Sequence, residues 1–374
     1  MNLDLIAIGA INYDCIFFCK KGRTTRVKVS EPGTEQWEVG IRDSLYLDIN
    51  TLKYSAAEYT TQVGGSAFLA LKAAFAVDPG LHVSYVGVCG TPTDDDEKIG
   101  FAKNNKPAFE FLYDKSWLFF DDAPPGLSVV KLNEKNERED INIDPGVNDK
   151  LEQLIKRNEM ESGQSFVDFL CTTRWIHLSS LSDFNQFMFI VEKIQEAKVR
   201  NPLIKVSIDP GFHYVKNKKV ELRSIFNIAD FVFLNEIELG LLISDDSIRD
   251  GPRSKDISAF FNHSGPSNTQ ILVIKSADKN VAYSFFNGDL YVATFWHKRL
   301  RKSKIVNDTG AGDAFAGGFI AAALSPRLAI HQRFPIEIGA QAATARLICR
   351  YDRKRKIVRH LSPCDRMGKR GEKE

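Results

Sequence analysis

No excess of one charge marks this chain. Its 50 Lys and Arg nearly cancel its 48 Asp and Glu, leaving a formal net charge of +2. That balance gives no electrostatic reason to expect nucleic acid or a membrane surface as the main partner. Cysteine is sparse: Cys15, Cys19, Cys89, Cys171, Cys349 and Cys364 are scattered, and no two form a CxxC pair. In a chain this long the spacing reads as reduced, intracellular thiols rather than a disulfide frame or a zinc site. No apolar run reaches transmembrane length. The opening MNLDLIAIGAINYD carries charge at Asp4 and lacks the basic segment and long apolar stretch of a secretory leader. A cytoplasmic protein is the expectation. No internal repeat is visible.

What the chain does have is enough apolar sequence for a sizeable core, 43% of 374 residues. That fits one large α/β domain with an appendage, or two domains. Short β-branched runs at 5–10, 83–90, 174–181, 204–210, 231–235 and 271–275 read as buried strands, because their hydrophobicity is nearly continuous rather than alternating. Helical candidates lie between and after them at about 66–77, 184–200, 236–243 and 336–350. This rhythm predicts a doubly wound, mostly parallel sheet. Two regions break it. Residues 15–62 are polar with strand-like pieces (RVKVS, SLYLDI), and 106–147 contain LSVVKLN and EDINID. Parts of both are expected to form a small β lid, whose edge strands are able to pair with a second copy in a homodimer. Asn287-Gly288 between apolar runs predicts a hairpin. Residues 1–360 then form one domain, and 361–374 a charged, solvated tail.

The most informative stretch is NDTGAGDAFAGGFIAAAL, residues 307–324. Phe315 and Phe319 are four apart, Ser325-Pro326 supplies a stop, and Asp313 falls in the first turn of the helix so defined. Gly310 and Gly312 let another group approach bare backbone. Successive N–H groups there, added to the unpaired donors of a helix start, make a cup for an anion. A carboxylate beside such a cup would repel a phosphate, but it makes sense as a base that takes a proton from an attacking hydroxyl. Taken alone, the pattern fits a capped glycine turn equally well. Gly317-Gly318 inside the helix should each cost about 1 kcal/mol relative to Ala, so a close approach by another element is expected there.

The longer string DTGAGDAFAGGF closely resembles the second signature of the ribokinase-like (PfkB) family of carbohydrate and nucleoside kinases. The similarity extends over most of the chain. AIGAINYD (7–14) looks like the family's first strand and turn, which implies that Asn12 and Asp14 hold acceptor hydroxyls. VGGSAFLALKAAF (63–75) looks like the first signature, which implies that Gly64 and Gly65 bring backbone close to the acceptor; Leu69 stands where family sugar kinases usually have Asn. VGVCGTPTDDDEKIG (86–100) resembles a turn of structural duty, with Asp94 to Asp96 read as a solvated loop. FLNEIELG (233–240) matches an N-x-x-E motif at Asn235 and Glu238, which implies help in ordering phosphate and Mg²⁺. VIKSADKNVAYSF (273–285) aligns with a nucleotide segment usually reading T-x-G-x-x-G; Lys275, Ala277 and Asn280 occupy those places, and Lys275 is a candidate phosphate ligand. GAQAATARL (339–347) resembles the helix beside adenine, with Gln341 in contact.

The resemblance implies an ATP- and Mg²⁺-dependent transfer of a phosphoryl group to a sugar hydroxyl. Asp313 would be the base, and the amides of Gly310, Ala311 and Gly312 the anion hole. A nucleoside is the alternative acceptor, with Phe68 and Leu69 suited to an apolar slot for its base. A ligand-binding relative without catalysis is a different class, against which Asp313 speaks.

Overall fold

The structure of the protein is a computed structural model. It describes residues 2–18, 37–39, 42–55, 58–104, 106–132, 138–179, 181, 183–218, 221–222, 225–243, 257, 270–276, 279–286, 289–296, 309–325 and 335–348. Its contacts divide the chain into two compact units, Met1–Phe68 with Val83–Ile204, and Leu69–His82 with Lys205–Glu374.

The first unit carries β1 (Leu3–Ile8), β2 (Asn12–Phe18), β3 (Trp37–Val39), β4 (Glu58–Gly64), β5 (Val83–Gly90), β6 (Leu118–Asp121), β7 (Gly126–Leu132), β8 (Arg138–Asp144) and β9 (Thr173–Ser179). Strands β9, β1, β5 and β6 run parallel, side by side in that order. β5 is buried along its whole length, as its unbroken apolar sequence requires. The remaining five form the expected small sheet, ordered β3-β8-β7-β2-β4.

Period-two alternation sorts β2 into two faces. Tyr13, Cys15 and Phe17 pack with Leu45, Ile49 and Leu52 of the helix Arg42–Ser55 on one side. Ile16 joins Val130, Leu132 and Ile141 on the other, the side to which Asn12 and Asp14 belong by register. The helix corrects one expectation, because SLYLDI reads as strand-like in the sequence. Leu45, Ile49 and Leu52 recur four and three apart, and burying that stripe on the sheet overrides the local alternation. RVKVS lies outside the described residues. The small sheet takes nothing from 106–125, where the described strand is β6, paired with β5.

The second unit carries β10 (Lys205–Asp209), β11 (Phe231–Asn235), β12 (Ile271–Lys275), β13 (Lys279–Phe286) and β14 (Asp289–Trp296). The first three are parallel neighbours and the last two continue antiparallel. β13 and β14 pair up to Phe286 and Asp289, which is the expected hairpin; Asn287 and Gly288 themselves lie outside the described residues. Ala311–Leu324 and Pro335–Ile348 are packed helices. Gly318 has no room for a Cβ because Ala342 lies 2.7 Å from where it would be. Gly317 likewise abuts the Ala70 carbonyl of the helix Ser66–Val77. The two glycines thus have the packing reason their helical cost demanded. The α/β class stands, with mostly parallel strands alternating with helices and a second, smaller sheet.

Candidate active site

Neighbouring parallel strands expose their last residues at one edge, and ligands of open α/β sheets collect there. In the second unit those residues are Asp209 of β10, Asn235 of β11 and Lys275 of β12, the last two being register partners. Lys275 donates from Nζ to the Asp209 carboxylate, with the two side chains only 12% and 7% exposed. Burial alone would push the lysine pKa down. Asp209 and Glu238 outweigh it, with a contribution from Asp313, and the ammonium is held above its ordinary value.

Asn235 and Glu238 form a reciprocal cap on the helix Glu236–Ile243. The Asn235 N–H donates to Glu238 Oε2 at 2.8 Å, and the Glu238 N–H donates to Asn235 Oδ1 at 2.8 Å. That is a capping box, so the motif has a structural duty whatever else it does. Glu238 is buried and faces the Lys275 charge.

The helix Ala311–Leu324 starts from Gly310, whose φ is 81°, with no side chain capping its first turn. The leading N–H groups of a helix have no partner inside it, so the turn offers bare donors. A Cβ on Gly310 would lie 2.9 Å from Leu69 Cδ1 and 3.3 Å from Arg346 Nε; one on Gly312 would lie 3.5 Å from Lys275 Nζ. Arg346 Nε donates to the Thr309 carbonyl at 3.1 Å, clamping the entry to the turn. Asp313 is half-buried in the first turn.

In the first unit, Asp14 is buried and its Oδ2 accepts from Gln62 Nε2 at 3.2 Å. Gly64 must lack a side chain because its Cβ would strike that carboxylate. Gly65, at φ 104°, would strike the Ala10 carbonyl. Their need for glycine is therefore met inside the chain. Asn12 accepts from Asn148 Nδ2 at 3.0 Å.

Several readings change. Asp96 is fully buried, not solvated: it takes two bonds from Arg42, at 2.9 and 2.8 Å, and caps its own helix with Thr93. Only Asp94 and Asp95 are exposed. Phe68 is core, against Tyr85 and Phe109, so it lines no slot. Gln341 spends Nε2 on Glu337, 3.1 Å away. Asn280 accepts from the Ser276 N–H at 3.0 Å, closing the turn where family members have glycine. Ala277, Asn307, Asp308 and the basic run 297–304 lie outside the described residues. Asp209, Arg346 and Asn148 were missed. Asp209 alone had a sequence signal, an acid at a strand end before proline.

The description "pfkB family carbohydrate kinase" matches residues 118–347. The chain belongs to the PfkB family. A protein of Archaeoglobus fulgidus described as an uncharacterized sugar kinase is 23% identical over 241 residues, 64% of this chain and 82% of that protein. Adenosine kinase from Schistosoma mansoni, solved with 2-fluoroadenosine, shares the fold at a TM-score of 0.71 with 14% identity, covering 94% of this chain and 96% of that one. Ribokinase from Giardia lamblia does so at 0.66 with 16% identity, covering 94% and 95%. In this PfkB chain no helix of the described residues is long and apolar enough to cross a membrane.

The donor set suits a phosphate, since an uncapped helix start and a buried ammonium converge on Gly312. No cluster of three metal-ligating side chains occurs among the described residues. That is compatible with Mg²⁺ carried on nucleotide phosphates, which needs few protein ligands.

Proposed function

We propose that this PfkB protein transfers the γ-phosphoryl group of ATP to a hydroxyl of a sugar or sugar-like acceptor in the cytoplasm. The observation that carries the reading is the bare start of the helix Ala311–Leu324, with Asp313 in its first turn and the Lys275 ammonium beside it. Asp313 takes the proton from the acceptor hydroxyl. The oxygen then forms a bond to the γ-phosphorus as the bond to the bridging oxygen breaks, and ADP leaves. The amides of Gly310, Ala311 and Gly312 stabilise charge on the moving group without having to reorient. Lys275 offsets Asp209, Glu238 and Asp313, three carboxylates that would otherwise repel a polyphosphate, and Asn235 fixes Glu238 through the cap. Mg²⁺, which Glu238 would help hold, supplies charge neutralisation on the phosphates. Asn12 and Asp14 orient the acceptor, with the Gly64-Gly65 backbone beside them, and Gln341 lies on the nucleotide side. The small sheet serves as a lid that keeps water from competing as acceptor. Residues 1–360 work as one domain, able to pair as a homodimer.

A nucleoside is the second acceptor class, favoured by the adenosine kinase fold likeness and by Leu69 lying on Gly310 where a polar group is usual. ADP release from ATP, followed across aldoses, ketoses and nucleosides, tests the proposal and separates the two. Ligand binding without turnover for any acceptor would replace it with a binding protein.

A further inference from the structure

The Asn12 side chain can present either an acceptor or two donors to a ligand, depending on which way its amide is turned. A chain of bonds in the first unit settles the direction. Asn148, 2% exposed, bonds both polar groups of the Ile11 backbone: the Ile11 N–H donates to Asn148 Oδ1 at 2.9 Å, and Asn148 Nδ2 donates to the Ile11 carbonyl at 2.9 Å. A backbone N–H only donates and a carbonyl only accepts, so Asn148 can stand in one orientation alone. Its second Nδ2 hydrogen points to Asn12, 3.0 Å away, and only an oxygen can receive it. Asn12 Oδ1 is thereby committed, while its Nδ2 has no partner among the described residues. Gly126, the register partner of Asn12, makes room for the pair, because a Cβ there would collide with Asn12 Oδ1 and Asn148 Nδ2.

We infer that Asn148 is a positioning residue that locks Asn12 as a donor, so that the acceptor site offers an N–H pair beside the Asp14 carboxylate. The substrate atom meeting Asn12 is a lone-pair oxygen, and the hydroxyl hydrogen goes to Asp14. This rests on the assignment of Asn12 and Asp14 to the acceptor.

The test substitutes the isostere Asn148→Asp in the full chain. The carboxylate so introduced has no hydrogen for Asn12, whose amide turns to donate to it and shows Oδ1 to the substrate. With D-ribose and adenosine as probes, KM for the acceptor used rises about tenfold, the effect of one lost polar contact, while KM for ATP stays. In an Asn12→Ala background, Asn148→Asp adds nothing to KM. A rise of the same size there, or none in the wild-type background, overturns the inference. A second readout needs no activity. With asparagine side chains labelled with ¹⁵N, the Asn12 NH₂ exchanges fast in the wild type and more slowly in Asn148→Asp, its signal being assigned by loss in Asn12→Ala. A protected Asn12 NH₂ in the wild type refutes the lock. If neither probe is phosphorylated by the wild type, the transfer proposal is judged by the wider acceptor screen, and the exchange measurement by itself decides on Asn148.

Discussion

Asp209 and Lys275 end two strands of one parallel sheet and are joined by a buried ion pair. Each partner is nearly sealed from water, so each depends on the other for its solvation. Removing one charge leaves the second buried without its direct partner, which costs about 3–5 kcal/mol, whereas removing both takes away the Asp209 carboxylate that Lys275→Met alone would strand. Lys275→Met should therefore destabilise strongly, and the double variant with Asp209→Leu should be more stable than Lys275→Met alone. Urea melts of the three proteins check the order. A double variant no more stable than Lys275→Met would mean that the lysine is matched chiefly by Glu238 and Asp313.

The same pair fixes a pH signature. Asp209 and Glu238 raise the folded-state pKa of Lys275 above its ordinary value despite burial. A group shifted upward contributes stability that is complete below its unfolded pKa, about 10.4 for lysine, and that is lost as pH rises through the folded value. The stability difference between wild type and Lys275→Met should thus be level from neutral pH to that point and shrink above it. Denaturant midpoints measured along a pH series show whether it does.

The sequence already carried β1, β5 and β9 of the first unit and β10, β11 and β12 of the second, because buried parallel strands are written as unbroken apolar runs; β6, only four residues long, the short β3 and the polar β4 gave no such run. It carried the start of the helix at 311 too, because Gly-Ala-Gly-Asp states its geometry locally. It did not reveal Arg42–Asp96 or Asn12–Asn148, whose partners are separated by 54 and 136 positions. A lone arginine or asparagine gives no sign of what it will meet after folding. The helix Arg42–Ser55 was hidden for a related reason. Six residues of it alternate like a strand, and the stripe that decides the matter emerges only over eight.

Gly310 and Gly163 separate strain from collision. Both have positive φ, 81° and 68°, but nothing lies within 4 Å of a Cβ on Gly163, whereas one on Gly310 meets Leu69 at 2.9 Å. Gly163→Ala should cost only the left-handed strain, about 1–2 kcal/mol. Gly310→Ala should cost more in a thermal melt and also weaken ATP binding, measured by calorimetry, by shifting the helix start. Equal losses for both would argue that Leu69 yields without moving the turn.

Asp313 offers the sharpest separation of chemistry from binding. A base acts on the proton that leaves as the new bond forms, so its removal lowers kcat and leaves the affinity for ATP nearly intact. Asp313→Asn keeps the shape of the first turn while deleting the basic oxygen. General-base catalysis contributes about 10²–10⁴-fold, and a kcat fall in that range is expected with an ATP dissociation constant within about threefold of wild type. Asparagine also removes a carboxylate from the neighbourhood of Lys275, so ATP should bind as well or slightly better. A variant that loses ATP binding in proportion to kcat would show that the side chain holds the nucleotide. One that retains full turnover would remove Asp313 from the reaction and, with it, the reason for a carboxylate at the mouth of an anion cup.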